Sequence, residues 1–254
     1  MSKPTFKISA VSYLNTLPFI YGLENSEVIN QIDLQLDMPS DCAQKLLDDK
    51  VDIGLVPVAI IPQLKEHYIV SDFCIGAEGK VNTVLLLSDV PLNEIEEVQL
   101  DYQSKTSVNL VQVLAKEFWG ISPKWINAKA GYEDKIAGTT AGVIIGDRTF
   151  NLSKKYKYTY DLSEEWQKMT GLPFVFACWV ANKKIDNQFL NSFNQALAIG
   201  VENIEQIVLT DQNTQIKKQE LLTYLKDDIA FNLDEKKREA ITKFLAYLAV
   251  KVQV

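Results

Sequence analysis

The sequence predicts an α/β protein with a helical C-terminal region. Short alternating or β-branched runs recur as far as residue 181, with stretches of helical apolar spacing between them. Strands that alternate with helices imply a mostly parallel sheet, because parallel neighbours need a crossover. After Asp186 the strand signals stop, and only the helical period remains.

Phe6-Lys7-Ile8-Ser9-Ala10-Val11 alternates apolar and polar and reads as the first strand. Ser12-Tyr13-Leu14-Asn15-Thr16 follows as a loop, and Pro18 suits the first turn of a helix toward Gly22. Residues 32–36 alternate again. A helix opens at Pro39-Ser40, with Ser40 as its N-cap and Ala43, Leu46 and Leu47 on its buried face. Residues 51–56 form a short buried strand that Pro57 ends. Residues 81–87 form a β-branched strand that includes Thr83, and Val98-Gln99-Leu100-Asp101 forms another. Val108, Val111, Leu114, Ala115 and Phe118 then recur at helical spacing up to Gly120. Residues 141–145 are a buried strand. Asp161-Leu162-Ser163-Glu164 has the shape of a helix cap, and that helix stops at Gly171. Residues 174–181 form the last strand. Three helical stripes follow: Phe189 to Val208, Leu221 to Leu225, and a final one capped by Asp234.

Pro91 and Gly171-Leu172-Pro173 bracket a middle segment. The expectation is two lobes, residues 1–89 with 179–254 and residues 90–178, joined by two crossovers. Hinge motion is expected near residues 88–91 and 174–178. Ligand is expected in the cleft, where strand ends and helix starts converge.

The 254 residues suffice for two modest cores, with 47% hydrophobic and 23% charged residues. Thirty-three acidic residues against 26 basic ones give a net charge of -7, which disfavours nucleic acid and anionic membrane partners. A small anionic substrate stays compatible, because a few local donors can bind a carboxylate. Cys42, Cys74 and Cys178 are far apart and odd in number, against a disulfide framework or cysteine-based zinc site. The first ten residues lack an apolar signal core, and no segment has spanning length. The expected compartment is the cytoplasm. The one histidine, His67, lies in a polar stretch and reads as a surface residue. A two-histidine metal site cannot be built from it.

The segment 101–107, Asp-Tyr-Gln-Ser-Lys-Thr-Ser, follows a strand and opens an amphipathic helix. Free N–H groups at a helix start, beside the hydroxyls of Ser104, Thr106 and Ser107, suit a carboxylate or phosphate. The plainer reading is that Ser104 or Thr106 only caps the helix. Asn15 offers donor and acceptor at the end of the first strand, or makes its own turn. Gly146-Asp147-Arg148 and the glycines at 138 and 142 match neither nucleotide-binding glycine motif. Arg148 reads as a structural ion pair, and Asp147 stays open between lining the cleft and packing. Trp166 reads as core. Lys154-Lys155-Tyr156-Lys157-Tyr158 reads as a solvated connector.

Seven stretches in order resemble the chorismate dehydratases of the futalosine route to menaquinone. They are residues 12–18, 52–57, 74–76, 84–88, 101–107, 145–148, and 161–166 leading to 170–177. The resemblance implies a two-lobed fold like the type II periplasmic binding proteins. It implies conversion of chorismate to 3-[(1-carboxyvinyl)oxy]benzoate and water, with no cofactor and no metal. It places Asn15 and Thr83 in the catalytic positions, and Tyr13, Leu14, Pro57, Ser104, Thr106, Ser107, Gly146 and Asp147 against substrate. The family reads basic-Ser-Val where this chain has Asn82-Thr83-Val84; the hydroxyl is kept and the charge is lost. Two alternatives share the fold: a non-catalytic small-anion binder, and the sister cyclase of dehypoxanthine futalosine. The cyclase has a Ser-Pro-Cys-Pro-Asn-type opening loop and uses a histidine, unlike this chain.

Overall fold

A computed structural model describes residues 5–152, 155–212 and 216–251. Residues 1–4 of the N-terminal stretch and Lys154 of the basic stretch lie outside the described residues. The chain divides into two compact units: Met1–Gly76 with Val175–Glu235, and Ala77–Phe174 with Lys236–Val254.

The first unit holds β1 (Phe6–Val11), β2 (Ile32–Asp37), β3 (Ile53–Pro57), β4 (Tyr68–Ala77), β10 (Phe174–Ala181) and β11 (Ala230–Asn232), in the sheet order β11-β4-β10-β3-β1-β2. β1 pairs parallel with β2 and β3, while β10 returns antiparallel beside β3. Its helices are α1 (Leu17–Glu24), α2 (Pro39–Leu47), α6 (Asn187–Glu202), α7 (Ile204–Thr210) and α8 (Lys218–Thr223). Phe19 is fully buried and meets Phe73, Trp179 and Phe231 edge to face at 6.2, 5.9 and 5.3 Å. Burying one such ring contributes about 1.5–3 kcal/mol, and the edge-to-face geometry adds to it.

The second unit holds β5 (Val84–Ser88), β6 (Glu97–Leu100), β7 (Lys124–Asn127), β8 (Thr140–Ile145) and β9 (Tyr158–Asp161), in the order β7-β6-β8-β5-β9. β6 runs parallel with β7 and β8; β5 runs antiparallel to β8 and β9. Its helices are α3 (Lys105–Leu114), α4 (Thr149–Leu152), α5 (Leu162–Thr170) and α9 (Glu235–Lys251). Trp166 is fully buried against Phe174 and Phe244, at 5.3 and 6.0 Å, and donates its indole N–H to the Pro173 carbonyl.

The α/β class and the helical C-terminal region are as expected, and several details differ. Both sheets are mixed rather than mostly parallel, because β10 and β5 enter their sheets against the direction of their neighbours. The unit boundaries fall at Gly76 and Phe174, not at residues 89 and 178, because β5 is a strand of the second sheet. The last helix groups with the second unit, where Phe244 and Tyr247 cover Trp166. The chain therefore passes between units at 76/77, 174/175 and 235/236. The C-terminal region is not wholly helical, since β11 pairs with β4. Ser40 does not cap α2. Pro39 takes the first helical position, where its missing N–H costs nothing, and Met38 is the capping residue. The basic stretch leads into edge strand β9 rather than remaining a connector. His67 is exposed, as expected.

Candidate active site

The parallel strands of the first unit bring the carboxyl ends of β1, β2 and β3 to one sheet edge. There the Ser12 N–H donates to the Asp37 carbonyl at 2.9 Å. Tyr13 is extended and half-buried, and Leu14–Thr16 make one 3-10 turn with Leu14 buried. The turn presents the Asn15 side chain. Its amide N–H donates to the Tyr224 hydroxyl at 3.2 Å, and its carbonyl accepts from the Thr16 hydroxyl at 3.2 Å. Both ends of the amide are thus held. Pro57, buried, ends β3 at the same edge. Behind it, Asp37 accepts from Ser9 at 2.6 Å and from Lys45 at 2.7 Å, which fixes the end of β2. Tyr224 has no signal in the sequence: it lies 209 residues from Asn15 and in the π-helical turn Tyr224–Asp228.

In the second unit the carboxyl ends of β6, β8 and β9 and the amino end of β5 share one edge. α3 starts there. The Ser104 hydroxyl accepts from the Ser107 N–H at 3.0 Å and donates to the Ser107 hydroxyl at 2.9 Å. Ser104 is therefore the cap, and the Ser104 and Ser107 hydroxyls engage each other. Thr106 is fully buried in the same turn. The start of the helix carries the positive end of its dipole.

A buried network joins this turn to the end of β8. The Asp101 carboxylate, with its side chain fully buried, is ion-paired with Arg148 and accepts from the Gln103 N–H at 2.8 Å. The Tyr132 hydroxyl donates to Asp101 at 2.7 Å. Arg148 also donates to Glu133 at 2.6 Å and to Gln103 at 3.0 Å, and lies over the rings of Tyr102 and Tyr132. Burial raises the Asp101 pKa above the usual carboxylate value, and Arg148 opposes that rise. Burial, then the Asp101 charge, raises the Tyr132 phenol. Arg148 has the structural role expected of it, and it ties the turn at residues 101–104 to Gly146–Arg148.

Gly146 is left-handed, with φ at 65°, and its N–H donates to the Thr83 carbonyl at 2.9 Å. Its own carbonyl accepts from Thr149 at 2.9 Å. Asp147 is half-buried beside it. Thr83 is not inside a strand, as its β-branched neighbours suggested. It is a buried bend residue just before β5, and its hydroxyl donates to the Val81 carbonyl at 3.3 Å. The preceding Asn82 is also left-handed, with φ at 59°, which breaks the extended run.

The fold thus collects Thr83, Ser104, Thr106, Ser107, Gly146 and Asp147 on one edge of the second unit. It collects Tyr13, Leu14, Asn15 and Pro57 on one edge of the first. Among the described residues, no group of three or more His, Cys, Asp or Glu side chains is placed to hold a metal ion. The three cysteines are buried and form no disulfide. No described helix is long and apolar enough to cross a membrane.

Solved structures share this fold at low identity. A protein from Archaeoglobus fulgidus superposes with a TM-score of 0.77 at 10% identity, covering 98% of each chain. The periplasmic aliphatic sulphonate binding protein of Escherichia coli gives 0.60 at 12% identity, covering 100% of this chain and 94% of that one. A Candida albicans protein described as having the generic periplasmic binding protein fold gives 0.64 at 12% identity, over 97% and 90%. Two curated relatives are chorismate dehydratases. The one from Thermus thermophilus is 26% identical over 192 residues, 68% of each chain; the one from Campylobacter jejuni is 25% identical over 243 residues, 92% of this chain and 94% of that one. A family model described as menaquinone biosynthesis matches residues 6–250, and the chain belongs to that family.

Proposed function

We propose that this protein is a chorismate dehydratase, a hydro-lyase that acts in the cytoplasm and forms 3-[(1-carboxyvinyl)oxy]benzoate and water. The observation that carries the reading is the family match over residues 6–250, with relatives of that activity aligned over most of the chain.

The reaction breaks the C–H bond at the ether-bearing ring carbon and the C–O bond of the neighbouring hydroxyl. The C–H electron pair becomes a ring double bond, and the hydroxyl leaves with a proton as water. Aromatisation drives the step, with no change of redox state, so the reading assigns no cofactor. What the protein must supply is orientation and help for the leaving hydroxyl. In this reading a substrate carboxylate takes the ring proton. The held Asn15 amide and the Thr83 hydroxyl fix that geometry, and the start of α3 binds the other carboxylate. Tyr13, Leu14, Pro57, Gly146 and Asp147 line the substrate.

Purified protein mixed with chorismate and followed by mass spectrometry tests this directly. A product lighter by one water, lost in Asn15→Ala and in Thr83→Ala, is the expected result. Chorismate bound but never converted would overturn the enzyme reading in favour of a small-anion binder.

A further inference from the structure

We propose that Asp161 is a positioning residue for Thr83: its carboxylate holds the left-handed turn at Asn82 that delivers Thr83 to the sheet edge. This rests on the role proposed above for Thr83.

Asp161 ends β9, is 5% exposed, and uses both carboxylate oxygens. Oδ1 accepts from the Ser163 and Glu164 N–H groups at 3.0 and 3.2 Å, and so caps α5. Oδ2 accepts from the Val81 and Asn82 N–H groups at 2.9 and 2.7 Å, about eighty residues back along the chain. The second pair plays no part in capping. It grips the two residues directly before Thr83. Asn82 is one of two non-glycine residues with positive φ among those described, a conformation that L side chains resist. Asparagine tolerates this conformation better than most residues, and Oδ2, bonded to its N–H, adds to its hold. On the other side, the Thr83 carbonyl is fixed by Gly146. Thr83 is thus held from in front by Gly146 and from behind by Asp161. In the paired strands, Asp161 lies opposite Leu85, so the clamp spans one short segment.

The two functions of the carboxylate separate in one variant. Asp161→Asn keeps an oxygen for the α5 cap, and Asn caps as well as Asp. It replaces the second oxygen with an amide that cannot accept from Val81 and Asn82. The expected result is a kcat for chorismate lowered by tenfold or more, with KM within about twofold. In the Asn82→Gly background the same change should cost much less, because glycine adopts the turn unaided. Amide hydrogen exchange should speed up at Val81 and Asn82 and stay slow at Ser163 and Glu164. Asp161→Ser, which also leaves a single capping oxygen, provides a second test if the Asn variant folds poorly. An equal penalty in both backgrounds, or a lower melting temperature with kcat unchanged, would reduce Asp161 to a helix cap. If the wild type does not convert chorismate, the proposed function fails, and the exchange pattern still decides whether Asp161 holds the turn.

Discussion

Gly22 of α1 and Gly200 of α6 meet backbone to backbone. A Cβ on Gly200 would stand 1.7 Å from the Pro18 carbonyl oxygen, and one on Gly22 would stand 1.9 Å from the Ala196 oxygen. Neither neighbour is a side-chain end that can swing away. This contact seats the helix that follows the Asn15 turn.

Gly200→Ala is therefore expected to destabilise the protein by about 3 kcal/mol or more, beyond the ~1 kcal/mol that alanine gains over glycine within a helix. Urea unfolding of the two proteins measures it. An unchanged or raised midpoint would show that α1 and α6 separate easily.

Tyr224→Phe removes the hydroxyl that accepts from the Asn15 amide and leaves the buried ring. One such hydrogen bond contributes about 0.5–1.5 kcal/mol, so kcat for chorismate should fall up to about tenfold, with little change in folding. Asn15→Ala should lose far more. Steady-state kinetics on both variants test the order; a Tyr224→Phe enzyme with wild-type kcat would free Asn15 from this support.

Much of this was legible in the sequence, and what was not has physical causes. β10 is legible at its full length because Phe174–Ala181 is apolar throughout and buried almost throughout. The α5 cap was visible as Asp161 followed by Glu164. β4 leaves no clear pattern, because Tyr68–Ala77 mixes both faces without alternation. β11 is three residues long and exists only by pairing with β4. β9 was hidden by tyrosines and lysines at a sheet edge, where exposure erases the pattern. The motif residues Asn15, Thr83 and Ser104 could be named from their neighbours in the chain. Their supports, Tyr224 and the Oδ2 clamp of Asp161, come from remote positions, and local patterns carry no trace of such pairings.

Arg148→Ala leaves the fully buried Asp101 side chain without its cation. Breaking one side of a buried pair costs about 3–5 kcal/mol, and here it also loosens the turn at residues 101–104. Arg148→Lys should recover little, because a single ammonium cannot serve Asp101, Glu133 and Gln103 from one plane. Thermal unfolding decides. A lysine variant as stable as the wild type would show that charge alone is enough.

Asp161 links stability and activity to pH in opposite directions. Burial pushes its carboxyl up to about 6, against the four N–H groups it accepts. In the unfolded chain it titrates near ~3.9. A carboxyl raised on folding contributes stability that is complete below the unfolded value and is lost as pH rises through the folded one. Relative to Asp161→Asn, which does not titrate, the wild type should therefore lose about 2 kcal/mol of stability on going from pH about 4 to about 7. The clamp on Asn82 needs the ionised form, so kcat should rise through the same interval and level off above it. Nearby charges are paired among themselves: Glu164 with Lys80 at 3.9 Å and Lys168 at 3.1 Å, and Glu165 with Lys168 at 2.8 Å. An acidic limb of kcat that disappears in Asp161→Asn belongs to Asp161. A stability difference that stays flat across the interval would mean that the carboxylate is ionised throughout, and that its four donors outweigh its burial.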